Sequence, residues 1–159
     1  MIRLIAATDT RRGIATDSGI PWDLPGDKAY FRDKTATGLI LMGWTTYTEF
    51  ASPLHDRENF VLSTHPDATR TGFQAVESVD QLIAEHPGQD VWIIGGGAVY
   101  AQTIAGADQL LLTQVDGDFK CTRFFPPYES DFRLATKSDD HLDGGVRYRF
   151  ETWQRIRKG

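Results

Sequence analysis

Cysteine is nearly missing from this chain: its one cysteine, Cys121, excludes an internal disulfide and any cysteine-based metal cluster. That usage suits a reducing compartment such as the cytoplasm. Long apolar runs are missing as well. No stretch approaches the ~20 apolar residues of a membrane-spanning helix, and Met1-Ile2-Arg3-Leu4-Ile5-Ala6-Ala7 is too short an apolar run for a signal peptide. No membrane partner is therefore expected. Positive charge is in deficit, with 17 Lys and Arg against 22 Asp and Glu and a net charge of -5. A nucleic-acid binder normally carries a basic face, so that partner is not expected either. His55, His65, His86 and His141 show no i, i+4 pairing and no metal-ligand spacing, which argues against a metal site. There is no G-x-S-x-G elbow and no Walker A sequence. No repeat, low-complexity tract or linker divides residues 1–159, so a single domain is expected.

What is present reads as alternating strands and helices. Residues 2–8 form a short, almost wholly apolar strand, and Thr8 to Trp22 follows as a long polar segment of the kind that becomes a lid or binding loop. Residues 25–35 read as a helix, Leu39-Ile40-Leu41-Met42 as a strand ended by Gly43, and Thr45 to Phe50 as a short helix. Strands follow over Asn59–Ser63 and Phe73–Val76, and Ser78 caps a helix over 79–85. Val91–Ile94 is a strand closed by Gly95-Gly96-Gly97, with a helix from Ala98 to Ile104, and Leu110–Val115 is another strand. The tail carries two more, Phe132–Ser138 and Val146–Ile156, whose alternating polarity and intervening Asp143-Gly144-Gly145 indicate an antiparallel hairpin. Apolar strands followed by helices imply parallel pairing with both faces covered. The expectation is a mixed, mainly parallel α/β sheet of about eight strands with about four flanking helices.

Chemistry concentrates in a few places. In Ile20-Pro21-Trp22-Asp23-Leu24-Pro25-Gly26-Asp27 the two prolines stiffen the approach to a helix whose first turn holds Asp27. The helix dipole alone accounts for an acid there. Phe31, however, lies four residues on and shares its face, so packing of Phe31 draws the carboxylate toward apolar surroundings. A carboxylate so placed needs a donor. It either binds a flat, amidine-like group or is poised for proton chemistry. Gly95-Gly96-Gly97-Ala98-Val99-Tyr100 follows a strand and opens a helix, as a phosphate cradle does; the plain alternative is a tight turn that needs small residues. It is not the dinucleotide fingerprint, because the third glycine position is Tyr100. Met42-Gly43-Trp44-Thr45-Thr46 repeats the layout, although Thr45 or Thr46 as a plain helix cap explains it too. Leu62-Ser63-Thr64-His65 offers further polar groups past a strand, and together the three strand ends suit a ligand with several phosphates. Arg57, just ahead of a strand, could present its fork to a ligand carboxylate.

These pieces, in this order, resemble a bacterial-type dihydrofolate reductase from end to end. The residues that carry the resemblance are Leu4-Ile5-Ala6-Ala7, Pro21-Trp22-x-Leu24-Pro25-x-Asp27 with Phe31, Met42-Gly43-x-x-Thr46, and Pro53-Leu54. Arg57-x-Asn59, Leu62-Ser63, Ile94-Gly95-Gly96-Gly97-x-Val99-Tyr100, Leu112-Thr113 and Phe125-Pro126 complete the series. The resemblance implies a cytoplasmic, monomeric enzyme that reduces 7,8-dihydrofolate with NADPH and binds antifolates. By the same resemblance, Asp27 accepts hydrogen bonds from the pterin with Thr113 in support, Trp22 holds a water, and Tyr100 lies by the nicotinamide. Ile5, Ala6, Ile20, Phe31, Phe50, Leu54 and Ile94 line the substrate slot, and Arg57 clamps the glutamate carboxylate. The cofactor lies over Ala7, Ile14 and Ile20, with its phosphates on Gly43, Trp44, Thr45 and Thr46 and on Gly95, Gly96, Gly97, Ala98 and Val99. Leu62, Ser63, Thr64, His65 and Gln102 complete its site.

The chain departs from the family in three ways. Trp44 and Ala98 stand where many members carry cations for the cofactor phosphates, so NADH is expected to serve as well as NADPH more readily than usual; Arg70 is a candidate substitute cation. Thr122 stands where members often have an acid that ties the closing loop down, leaving the resting position of the Asp9–Asp17 stretch open. Lys28 is expected to face outward on the rim, where it attracts an anionic substrate tail. Two other readings are a related reductase of another heterocycle, like the pyrimidine reductase of riboflavin synthesis, and a non-catalytic folate-binding paralogue.

Overall fold

The computed structural model describes residues 1–64 and 69–157. Strand β1 (Ile2–Thr8) is followed by the short β2 (Gly13–Ala15) and by helix α1 (Pro25–Lys34). Pro25 suits the first turn of α1, where its missing N–H would have no helical acceptor anyway. Strand β3 (Leu39–Met42), buried at all four positions, leads into α2 (Trp44–Glu49), then β4 (Glu58–Leu62) and β5 (Phe73–Val76). Helix α3 (Val79–Glu85) is capped by the Ser78 hydroxyl, which accepts the Gln81 N–H at 3.0 Å. Strand β6 (Val91–Ile93) precedes α4 (Gly97–Thr103), which ends in a 3-10 turn, Ile104–Gly106. Strands β7 (Gln109–Val115), β8 (Arg123–Phe124), β9 (Phe132–Lys137), β10 (His141–Asp143) and β11 (Val146–Arg155) complete the described chain.

The main sheet runs β10-β11-β7-β1-β6-β3-β4-β5, with β9 also on β11, so it has nine strands. From β7 to β5 every pairing is parallel, and β11 joins β7 antiparallel. Parallel strands need cover on both faces, and their residues alternate accordingly. Leu4, Leu41, Ile93 and Leu112 pack to one side with Phe60 and Phe125. Ile5, Ile40, Met42, Trp92 and Leu111 pack to the other, beneath Tyr30, Phe31, Phe50 and Leu54. The C-terminal ends of β1, β3, β4, β6 and β7 thus open on one edge of the molecule.

Three expectations are corrected, and one point left open by the sequence is filled in. The segment from Thr8 to Trp22 is not all loop, because β2 pairs antiparallel with β8 in a separate two-stranded sheet. Strands of two and three residues leave no periodicity to read. The C-terminal hairpin is made by the unexpected β10 with β11, through Gly144 and Gly145 at φ +55 and +83, while β9 pairs farther along β11. Those positive φ values are what a tight two-residue hairpin requires. Thr45 and Thr46 are not caps: α2 begins at Trp44 with Gly43 in the cap position and no capping side chain. Finally, the closing segment is anchored without an acid at Thr122. Its hydroxyl donates to Asp17 Oδ1 at 3.0 Å, and its N–H to the Ala15 carbonyl at 2.9 Å. The carboxylate of this tie is that of Asp17.

Asp9 anchors the other end of that segment. It is 2% exposed, and Oδ1 accepts the N–H groups of Arg11 and Gly13 at 2.9 and 2.8 Å while Oδ2 accepts that of Phe119 at 3.0 Å. A side chain at Gly13 would run into Cys121 and Asp9, so the turn closes on glycine. Replacing Asp9 by Ala orphans three backbone donors and should destabilise the fold by about 3 kcal/mol in a urea titration. A loss within 0.5 kcal/mol, the range of an ordinary surface change, would contradict this account.

Candidate active site

The carboxylate of Asp27 stands at the first turn of α1, facing β7. The Thr113 hydroxyl on β7 donates to Asp27 Oδ1 at 2.6 Å. Helix α1 is held there by its own N-terminus: Gly26 N–H donates to Asp143 Oδ2 at 2.9 Å, and the Tyr148 hydroxyl donates to the same oxygen at 2.8 Å. A Cβ at Gly26 would collide with that Tyr148 hydroxyl. Burial raises the Asp27 pKa above the ordinary 3.8, and the Thr113 hydrogen bond opposes that rise. Tyr30, one turn on, stacks on Phe150 with centroids 3.9 Å apart. Its phenol is pushed up to about 12, by burial first and then by the Asp27 charge.

Around Asp27 the walls are apolar. Ile5, Ala6, Phe31, Phe50 and Ile94 line a cavity that continues past Ala7, Ile14 and Trp22. Trp22 is buried and packs edge-on against Phe119 at 5.2 Å. Ile20 lines the mouth while remaining 68% exposed. Tyr100 is buried, and its hydroxyl donates to the Ile5 carbonyl at 2.6 Å, tying α4 to β1. Burial raises its pKa strongly, so it stays a neutral phenol.

The far half of the cavity is built from backbone. Gly43 N–H donates to the Gly95 carbonyl at 2.7 Å, joining the ends of β3 and β6, and the Gly95–Gly96 peptide is cis. A Cβ at Gly43 would strike Val99 Cγ2, and one at Gly97 would stand 3.2 Å from the Phe124 carbonyl. The Thr46 hydroxyl lies beside Gly95 and Gly96. Trp44, Thr45, Ala98, Gln102, Leu62, Ser63 and Thr64 complete this half. The whole cavity holds about 1410 Å3. A drug-sized ligand takes roughly 300–1,000 Å3, so there is space for two ligands side by side.

The lining thus gathers the expected site residues apart from three. His65 lies outside the described residues. Leu54 packs with Phe31 and Phe50 at the edge of the apolar wall, beyond the lining. Arg57 also lies outside the lining: Nη1 donates to Thr35 Oγ1 at 2.7 Å and Nε to the His55 carbonyl at 3.0 Å. Arg70 is occupied beneath α2, where its guanidinium donates to the Tyr47 carbonyl at 2.7 Å and stacks on the Tyr47 ring at 4.4 Å. Lys28 lines the rim, exposed and paired with Asp23 at 2.7 Å. Sequence reasoning missed Ala15, Leu24, Glu49, Glu77, Arg123 and Phe124, which also line the cavity. Glu49 was within reach, being one turn beyond Thr45 and Thr46 on the same helix. Arg123 and Phe124 arrive through the β2–β8 pairing, which carries no sequence signal.

The family model described as dihydrofolate reductase matches residues 1–155. A dihydrofolate reductase of Bacillus subtilis (strain 168) is 33% identical over 153 residues, covering 95% of this chain and 91% of that one. Dihydrofolate reductase type 3 of Salmonella typhimurium is 35% identical over 131 residues, covering 82% and 81%. Among solved structures, a dihydrofolate reductase from Enterococcus faecalis complexed with NADP(H) and RAB-propyl superposes with a TM-score of 0.87 at 26% identity, covering 98% of this chain and 96% of that chain.

The raised Asp27 pKa has a consequence for stability. A carboxyl whose pKa is higher folded than unfolded favours the fold when protonated, and that contribution is lost as pH rises through the folded value. Asp27→Asn should therefore be more stable than the parent at pH 7, with the gain vanishing below the ordinary carboxylate pKa of 3.8. Denaturant titrations across pH read this directly; a variant less stable than the parent at pH 7 would contradict it.

Proposed function

The chain belongs to the dihydrofolate reductase family, and from that premise we propose which of its residues carry the reaction. The enzyme reduces 7,8-dihydrofolate to 5,6,7,8-tetrahydrofolate. NADPH, when bound, supplies the hydride that C6 of the pterin receives, while a proton enters at N5. The family match across residues 1–155 does not favour a riboflavin-pathway reductase or a non-catalytic paralogue.

The observation that carries the assignment of roles is the Thr113–Asp27 pair. It fixes an acceptor-only carboxylate at the floor of an apolar slot, which is what the amino and N–H edge of a pterin needs. In our reading Asp27 takes that edge, and Thr113 orients the carboxylate and keeps it anionic. Phe31, Phe50, Ile5 and Ile94 hold the ring flat, with Ala6 beside it and Leu54 backing the aromatic wall. Trp22 keeps a water near the protonation site. Ile20 and its segment close the mouth, which excludes bulk water from the transfer. Tyr100 fixes the floor on which the two rings face each other, and positioning of that kind accounts for much of the rate. Arg57, although outside the lining, has two of its nitrogens occupied and Nη2 without a partner among the described residues; in our reading it receives the glutamate carboxylate.

The cofactor half fits the group it would hold. Four glycines, Gly43, Gly95, Gly96 and Gly97, leave backbone where side chains would collide or crowd, and such open backbone lets phosphate oxygens approach closely. Ala7, Ile14, Trp44, Thr45, Thr46, Ala98, Val99, Leu62, Ser63, Thr64 and Gln102 complete the walls. We also propose that this family member works as a cytoplasmic monomer and that antifolates occupy the same slot. Its one free cysteine is buried.

Asp27→Asn tests the central role. Losing the carboxylate should lower kcat with dihydrofolate roughly a hundredfold or more at neutral pH. Activity should recover as pH falls and the substrate arrives protonated. A rate unchanged across pH would remove Asp27 from the mechanism.

Cofactor choice follows from the adenine end. Trp44 and Ala98 carry no charge, Arg70 is engaged by Tyr47, and Glu77 adds an acid to the wall. A 2′-phosphate therefore gains little there, and NADH should also serve. Measured kcat/KM should favour NADPH by well under a thousandfold; a preference at or above that factor would overturn this reading.

A further inference from the structure

We infer that Arg123 grips the diphosphate of the bound dinucleotide and that Glu49 holds it ready in the meantime; the inference rests on the reductase reading above. Three observations carry it. First, Arg123 lines the cavity, and among the described lining residues only Lys28 shares its charge. Lys28 belongs to the other half, one residue from Asp27 and paired with Asp23. Second, the strand bearing Arg123 lies directly against the glycine stretch. A Cβ at Gly97 would stand 3.2 Å from the Phe124 carbonyl and 3.9 Å from the Phe124 nitrogen. Arg123 thus enters the cavity wall from the strand that borders the glycine stretch, one residue from the Phe124 backbone beside Gly97. Third, the side chain already bonds an anion across the cavity: Arg123 Nη1 meets Glu49 Oε1 at 3.1 Å, joining β8 to the end of α2.

That ion pair is easily exchanged. Its side chains are 39% and 54% exposed, and pairs so placed contribute little to stability. A diphosphate brings two charges and several oxygens, which a planar fork of five N–H donors matches better than it matches one carboxylate. Arg123 so used supplies from the loop side the positive charge that Trp44 and Ala98 do not supply from the helices. The recognised group is common to NADPH and NADH, so Arg123 adds affinity without selecting between them.

Binding, rather than turnover, tests the inference. Trp22 and Trp44 both line the cavity and report ligand by fluorescence. NADPH, NADH, ADP-ribose and adenosine 2′-monophosphate are titrated into the parent, Arg123→Ala, Arg123→Lys and Glu49→Gln. Arg123→Ala should raise Kd roughly tenfold, by a similar factor, for the first three, which share the diphosphate, and leave adenosine 2′-monophosphate unchanged. Arg123→Lys should fall between, and Glu49→Gln should tighten the same three. Unchanged affinities in Arg123→Ala, a loss confined to the two ligands with a 2′-phosphate, or a Glu49→Gln that weakens binding as Arg123→Ala does would each overturn the inference. The reductase reading fails on a different result, a parent enzyme that binds NADPH yet never oxidises it with dihydrofolate.

Discussion

One carboxylate, partly withdrawn from water, organises this molecule. An ionised group in apolar surroundings is unstable unless donors meet it, so Asp27 has to be held where Thr113 reaches it. That requirement sets the position of α1 relative to β7, two elements 86 residues apart in sequence. It also explains the second clamp. Asp143 accepts both the Gly26 N–H and the Tyr148 hydroxyl, so the β10–β11 hairpin fixes the start of α1 from the opposite side. Tyr30 stacked on Phe150 fixes the middle of the same helix. Helix α1 has no fully buried residue of its own. Its placement therefore rests on these contacts and on the half-buried Phe31, not on a deep apolar stripe.

The sheet edge does the corresponding work for the cofactor half. Parallel pairing from β7 to β5 brings the ends of β1, β3, β4 and β6 together. The Gly43–Gly95 hydrogen bond then joins two of those ends, and their glycines keep open the space that side chains would fill. Both halves of the cavity thus follow from one topological fact, with a side chain supplying the carboxylate of one and glycine backbone the walls of the other.

What was legible in the chain follows from how local each feature is. Buried strands such as Leu39–Met42 and the Ser78 cap are written in consecutive residues, and they appear where expected. The strand-end parts of the cavity lining, at residues 43–46 and 95–100, were legible from the same patterning, whereas Ile14, Ile20, Phe50 and Gln102 came only with the family resemblance. Features that depend on distant partners were not. Strands β2 and β8 exist only because they meet each other, and Thr122 is tied only because it meets Asp17. Arg70 was a candidate phosphate cation until packing set it on Tyr47, and nothing in its neighbours along the chain announces that ring. Arginine placement is the recurrent failure, since a long side chain with many donors goes wherever an acceptor has been folded into reach.

The β2–β8 pair also links two properties that otherwise look separate. Asp9 and Asp17 fasten the closing segment at its two ends, through Phe119 and Thr122 respectively, and the pair lies between those fastenings. Strand β8 carries Arg123 and Phe124 into the cavity wall. The segment over the cavity mouth is therefore paired to the strand that faces the glycine stretch. On the roles proposed above, closure over the rings and retention of the cofactor would both depend on this one short piece of sheet. A pair of two and three residues has few backbone bonds, and it belongs to a sheet separate from the nine-stranded one behind it, so the two are not bonded into one ladder.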